Sequence, residues 1–127
     1  MSIRTLVVFT SLVLLPAAYA LAHHSAAGID RSVTREISGT VREFRWQNPH
    51  SFMQIDVPGD DGGIVTWTLE MTAPSFLIRA GWTRSTVRTG DPVTAVVRPL
   101  INGDPGGLFV SVTAPDGKTY SERGQPQ

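Results

Sequence analysis

Residues 51–70, SFMQIDVPGDDGGIVTWTLE, contain two alternating segments that flank a loop, and the predicted architecture depends on how these segments pair. Ser51–Val57 and Ile64–Glu70 alternate apolar and polar side chains, the pattern of β-strands that bury one face. Pro58–Gly63 between them is dense in residues that form turns. We therefore predict a β-hairpin. Its core face carries the apolar residues Met53, Ile55, Val57, Val65, Trp67 and Leu69.

The same alternation predicts where His50 and Glu70 lie. Once the apolar residues face the core, both side chains must share the opposite face of the hairpin, because a one-residue shift reverses every side chain. They then lie directly across from each other or one diagonal apart, within reach of a contact. A cross-strand pair of this kind needs no ligand. A metal site at His50 is the alternative interpretation. It is compatible with the pair, since carboxylates commonly orient imidazoles that bind metals.

Three further strands and one short helix are predicted outside the hairpin. Alternating patterns indicate strands over Glu36–Phe44, Pro92–Arg98 and Leu108–Thr113. Thr72–Gly81 has an early proline, an apolar cluster and a terminal glycine, which is typical of a two-turn helix. Three strands, a helix and two strands is the order of an OB-fold. We predict an all-β, OB-fold-like five-stranded barrel with a short helix between strands 3 and 4. An immunoglobulin-like sandwich, which needs about seven strands, fits less well.

The N-terminal residues predict export. A positive charge, the apolar run Thr5–Leu15 and small residues after Pro16 are typical of a secretory signal peptide over residues 1–22, cleaved after Ala20 or Ala22. The run is short for a bilayer, so an uncleaved anchor is the weaker alternative. We expect a periplasmic or secreted protein without a membrane span after cleavage.

The 127-residue chain suits one folded domain. A His-bearing leader would occupy residues 23–35 and the barrel residues 36–115. Residues 116–127 would form a frayed tail, because few of them are apolar.

Composition excludes several classes of function. Acidic and basic residues balance at 11 each, so overall charge gives no reason to expect nucleic acid as a partner. The absence of cysteine excludes disulfides, thiolate metal ligands and cysteine nucleophiles. Any metal site must use imidazole, carboxylate, amide or amine groups.

His23 and His24 stand close to the predicted start of the mature chain. Cleavage after Ala20 would make His23 the third residue, whose imidazole can join the amine and two amides around Cu(II) or Ni(II) in a square plane. Cleavage after Ala22 would make His23 the first residue, with its amine and ring nitrogen placed to chelate copper. Two adjacent histidines also suit a solvated tail without metal.

The segment before the hairpin contributes aromatic and turn-forming residues. Phe44, Trp46 and Phe52 are predicted to form an aromatic face that could bind a peptide, a glycan or a partner protein. Asn48, followed by Pro49, is expected to hold the turn through a bond from its side chain to the backbone. Trp46 would shield one side of the site.

Six short motifs resemble those of a family of uncharacterised secreted bacterial proteins, a domain of unknown function found mainly in proteobacteria. The motifs are Ala22-His23-His24-Ser25, Gly39-Thr40-Val41, Trp46-x-Asn48-Pro49-His50, Trp67-x-x-Glu70, Gly81-Trp82 and Gly90-Asp91. The resemblance covers essentially the whole mature chain. It implies that the histidines, tryptophans, Asn48, Pro49 and Glu70 in these motifs are signature positions, and it implies no activity.

Together these features predict an exported small binding protein rather than an enzyme; an oxidative metalloenzyme is the less favoured alternative. The predicted metal ligands are His23, His24, His50 and Glu70, with Trp46, Asn48, Pro49 and Trp67 in support. Imidazole with few carboxylates suits copper, zinc or nickel, and a chelate at the N-terminus favours copper. The competing hypothesis is a metal-free envelope module that binds a partner through the aromatic face. The sequence gives no indication of oligomeric state.

Overall fold

A computed structural model describes residues 28–124 of the chain. They form β1 (Arg35–Arg45), β2 (Phe52–Pro58), β3 (Ile64–Glu70), α1 (Pro74–Arg79), β4 (Pro92–Pro99), β5 (Gly106–Thr113) and β6 (Thr119–Ser121). The predicted signal peptide, His23 and His24 lie outside the described residues.

Five of the strands close into a barrel. In order, β3, β2, β1, β4 and β5 are antiparallel neighbours, and β5 returns to pair with β3 in parallel. With α1 between β3 and β4, this is the arrangement of an OB-fold. The predicted fold class is confirmed.

The β2–β3 hairpin has the register that the alternation predicts. Met53 lies opposite Leu69, and Ile55 lies opposite Trp67. All four side chains are buried in the core of the barrel. Pairing continues to the loop, where Pro58 faces Ile64. Cross-strand apolar pairs of this kind hold a sheet in a single register.

Strand β1 bends so that it can pair with two different strands. Its first half pairs with β4 and its second half with β2, with an irregularity between Val41 and Glu43 that leaves Arg42 as an extra residue. A Cβ atom on Gly39 would lie 2.1 Å from the carbonyl oxygen of Asp56. Glycine is therefore required at this position, because β2 approaches the β1 backbone too closely for any side chain.

Helix α1 closes one end of the barrel. Pro74 occupies its first turn, where a missing N–H costs nothing, and Leu77 is completely buried. Gly81 follows the helix with a φ of 89°, the left-handed conformation that favours glycine after a helix. Trp82 then enters the core, and its Nε1–H donates to the carbonyl oxygen of Ser121 at 2.9 Å.

The prediction of a frayed tail over residues 116–127 is wrong for the described part of that segment. Strand β6 pairs with β5, with Thr119 opposite Thr113 and Ser121 opposite Ser111. The ring of Tyr120 packs on Trp82 with their centroids 5.6 Å apart. One aromatic side chain and one short ladder anchor a segment whose average composition is polar.

Among residues 28–124 there is no helix with the length and apolar character needed to cross a membrane.

Candidate functional site

Two strands, β3 and β6, pair with different parts of the same edge of β5, and the junction between them is called the seam below. Strand β3 pairs with this edge up to Leu108, which faces Glu70, and β6 pairs with it from Ser111 onward. Phe109 and Val110 lie between these two pairings. A register shift against β4 makes Val110 an extra, bulged residue, and bulges of this kind bend a strand. The seam therefore leaves a gap in the wall of the barrel.

A cleft of about 440 Å³ lies at this seam and is called the seam cleft below. The end of β3 and the residues after it form one side, β5 forms the floor, and the residues after β6 form the other side. The lining residues are His50, Glu70, Met71, Thr72, Arg98, Leu108, Phe109, Val110, Ser121, Glu122 and Arg123. Its volume is within the range of pockets that hold small molecules.

His50 and Glu70 meet at the mouth of the seam cleft. Nδ1 of His50 lies 3.3 Å from Oε1 of Glu70 and 3.2 Å from the carbonyl oxygen of Met71. The His50 side chain is 51% exposed and the Glu70 side chain 19% exposed. Glu70 faces Phe52, two residues beyond His50, so the predicted diagonal contact is confirmed.

The contacts of His50 fix its tautomer when the ring is neutral. Both neighbours of Nδ1 are hydrogen-bond acceptors, so Nδ1 must carry the proton. The lone pair of the neutral ring is then on Nε2. Within residues 28–124, the ring makes no hydrogen bond through Nε2.

The backbone around His50 is held by the hairpin itself. The N–H of Ser51 donates to the carbonyl oxygen of Thr72, and the N–H of Met71 donates to that of Ser51. These bonds extend the β2–β3 ladder past its last paired residues. The Asn48–Pro49 peptide bond is cis. The expected side-chain bond of Asn48 is not found among the described residues.

Glu122 is a member of the site that the sequence did not indicate. Oε1 of this half-buried carboxylate accepts the N–H of Thr72 at 2.6 Å, which bridges the two sides of the seam cleft. Burial is the main cause that raises the pKa of Glu122, and the negative charge of Glu70 adds to it. The Thr72 N–H, His50 and Arg123 act in the opposite direction. The turn Pro115–Gly117 and the aromatic Tyr120 were the available signals that this segment folds back.

Arg98 is the second member that the sequence did not indicate. It lies opposite Leu108, which lies opposite Glu70, so three strands bring these side chains to one region of the seam. Among residues 28–124, Arg98 forms no ion pair, and its Nε atom is shielded from solvent without a hydrogen-bond partner.

The predicted aromatic face is wrong. Phe44 lies opposite the buried Met53 and turns inward, where its ring contacts Trp46 and Trp82. Phe52 lies opposite Arg45 on the other face of the sheet, and the Arg45 guanidinium lies over its ring at 5.5 Å. Residues one step apart in paired strands point to opposite faces, so the three rings cannot form one platform.

The two supporting tryptophans lie away from the seam cleft. Trp67 is buried in the core and has the guanidinium of Arg35 over its ring at 5.0 Å. Trp46 packs edge-on against Phe44, with Arg84 5.8 Å from its ring centroid. Neither lines the seam cleft, so the expected shielding of the site by Trp46 is not found.

Within the described part of the chain, no three His, Asp or Glu side chains form a group that could hold a metal ion. His50 and Glu70 supply at most two ligands. The other predicted ligands, His23 and His24, lie outside the described residues.

The fold and the seam cleft define the chain as a small OB-fold-like barrel. It has a cleft with charged lining residues beside the β3–β5 pairing that closes the barrel. The chain belongs to DUF6152, a family of unknown function, whose family model matches residues 12–111. The resemblance to a domain of unknown function is thereby confirmed. The matched residues include His50, Glu70 and Arg98, whereas Glu122 follows them. A search of curated proteins gave no significant match.

Proposed function

We propose that this protein is an exported metal-binding protein that holds a copper-type ion between its N-terminal leader and the mouth of the seam cleft. The observation that carries the proposal is the state of His50. Its Nδ1 is held by Glu70 and by the Met71 carbonyl, which leaves Nε2 as the nitrogen that can bind a metal. In metal sites, a carboxylate or carbonyl partner of this kind orients the ring and increases the basicity of the ligating nitrogen.

The leader enters the barrel next to the seam. Ile29 bridges to Leu100, and the carbonyl oxygen of Gly28 accepts the N–H of Ile101. Leu100 follows β4 two residues after Arg98, which lines the seam cleft. His24 precedes Gly28 by four residues, which span at most about 14 Å when extended. The proposal requires the leader to turn back within this length, so that its imidazoles reach His50.

The donor set favours particular metals. Two or three imidazoles with one carboxylate suit Cu, Zn or Ni better than Ca or Mg, which prefer oxygen ligands. A free α-amine beside His23 would shift the preference toward copper. Zinc and nickel are the alternatives, and competition between the metals decides among them.

The test begins with the intact mass of the exported protein, followed by titration with Cu(II) and with Zn(II). Cleavage after Ala20 or Ala22 and binding of one ion per chain are expected. His50→Ala should remove tight binding, because it deletes a ligand. Gln47→Ala is the matched control, since this exposed residue in the same loop is not one of the proposed ligands.

Glu70→Gln tests the orienting contact. The variant keeps an acceptor for Nδ1–H but loses the charge, and loss of such partners typically weakens metal binding by about 10–100-fold. Stoichiometric binding that survives His50→Ala would contradict the proposal, because the terminus would then chelate by itself. No binding by the unaltered protein would favour a metal-free envelope module that binds its partner through a surface other than the predicted aromatic face.

A further inference from the structure

We propose that the seam cleft binds a small organic anion, a carboxylate with a short apolar body, through the guanidinium of Arg98. The proposal concerns the metal-free protein and does not rest on the metal site at His50. It rests on the charges that line the cleft, on the apolar wall beside Arg98 and on the size of the opening.

The carboxylates and guanidiniums of the cleft differ in their contacts. Glu70 is engaged by Nδ1 of His50, and Glu122 accepts the N–H of Thr72. Arg98 and Arg123 form none of the ion pairs found among residues 28–124. The two carboxylates of the seam cleft thus have hydrogen-bond donors within the fold, whereas neither guanidinium has a carboxylate within ion-pair distance among residues 28–124.

Arg98 is held against the wall of the barrel. Its side chain is partly buried, and its Nε is shielded from solvent. No carboxylate among residues 28–124 forms an ion pair with it. A guanidinium presents its N–H groups in a plane that matches the two oxygens of a carboxylate.

The surroundings of Arg98 indicate the body of the ligand. Leu108 lies directly opposite Arg98, and Val110 is the bulged residue that follows in the floor of the cleft. Both are half-buried. An apolar chain of a few carbons can cover them while its carboxylate meets the guanidinium.

The experiment compares three probes with the same six-carbon chain: hexanoate, hexylammonium and hexanol. Each is titrated into the EDTA-treated protein while backbone amide shifts are followed by NMR. Hexanoate should bind saturably in the millimolar range, with the largest shifts at Leu108 and Val110. Hexanol should bind more weakly, and hexylammonium should show no saturable binding.

Variants locate the anion. Arg98→Gln should weaken hexanoate binding by roughly 10–100-fold, the usual loss for a hydrogen bond to a charged group. Arg98→Lys keeps the charge but loses the planar fork, so an intermediate affinity is expected. Arg88→Gln removes an exposed arginine outside the cleft and should leave the affinity unchanged.

Chain length provides a test that requires no variant. Affinity should rise about fourfold for each methylene between butyrate and hexanoate, since each buried methylene contributes about 0.8 kcal/mol. Any of three results would overturn the proposal: hexylammonium binding as well as hexanoate, hexanoate affinity unchanged in Arg98→Gln, or no saturable hexanoate binding by the unaltered protein. The effect of His50→Ala on metal binding has no bearing on these three results, because they are obtained with the metal-free protein.

Discussion

Two carboxylates of this barrel, Asp56 in the hairpin and Glu122 at the seam, have pKa values shifted in opposite directions. Their surroundings differ in the partners that they offer to a charged group. The hydroxyl of Thr66 and then the guanidinium of Arg42 lower the pKa of Asp56, on the outer face of the β2–β3 hairpin. Burial raises the pKa of Glu122 at the seam. On the outer face of the hairpin, Asp56 has the Thr66 hydroxyl and the Arg42 guanidinium as partners. At the seam, charged groups lie partly buried with few partners, which is typical of a region that binds something.

The largest effect is expected from the core side of the hairpin. Leu69→Ala removes a fully buried side chain and should lower the free energy of unfolding by about 2–5 kcal/mol. Leu108→Ala deletes the same atoms from a half-buried residue of β5 that lies opposite Glu70, and should cost about 1 kcal/mol. Urea unfolding of both variants gives the difference. Equal losses would show that the seam is packed as tightly as the hairpin.

A smaller effect is expected where β6 joins the barrel. Tyr120→Ala removes the ring that packs on Trp82 and should lower the free energy of unfolding by about 1–2 kcal/mol. Hydrogen exchange should accelerate in β6 and remain slow in β2 and β3, because only the C-terminal strand loses its anchor. Lys118→Ala is the control, since it changes an exposed residue immediately before the same strand. Equal acceleration throughout the barrel would contradict the local role of Tyr120.

The smallest effect concerns the charge of Glu122. A carboxyl group whose folded pKa is raised disfavours folding once it ionises, so its contribution to stability falls as pH rises from the unfolded pKa through the folded pKa. Glu122→Gln keeps an acceptor for the Thr72 N–H and removes this penalty. Relative to the unaltered protein, the variant should gain stability as pH rises above the usual carboxylate range, by less than about 1 kcal/mol because the group is partly solvated.

Thermal unfolding of both proteins across the acidic to neutral range measures this difference. A gain for Glu122→Gln that is constant with pH would refute the assigned cause. Glu36→Gln is the matched control, because it makes the same change at an exposed carboxylate outside the seam cleft that forms none of the ion pairs found among residues 28–124.

The hairpin could be predicted from the sequence because its information is local. Alternation gives each strand two faces, and a short loop forces the two strands to pair, so the contact of His50 with Glu70 follows. The prediction of the aromatic face was wrong because the information that it needed is not local. Phe44 and Phe52 lie in neighbouring strands joined by an irregular loop, whose length does not fix which residues pair or which faces they share.

The seam could not be predicted because it depends on contacts between distant parts of the chain. Arg98, Leu108 and Glu70 are neighbours only after β5 has paired with both β4 and β3. No periodicity in a single strand indicates which other strand it will join. Glu122 escaped notice because the polar composition around it predicted a frayed tail, whereas one aromatic residue is enough to hold the segment.

The indole of Trp82 gives the protein a built-in optical reporter. Its N–H bonds to Ser121 and its ring contacts Tyr120 and Phe109, so it touches both the C-terminal strand and the floor of the seam cleft. Trp46 and Trp67 sit elsewhere, each beneath an arginine. With those two replaced by phenylalanine, fluorescence would come from one position alone. Events at the opening of the barrel would then become visible in real time, without an attached dye.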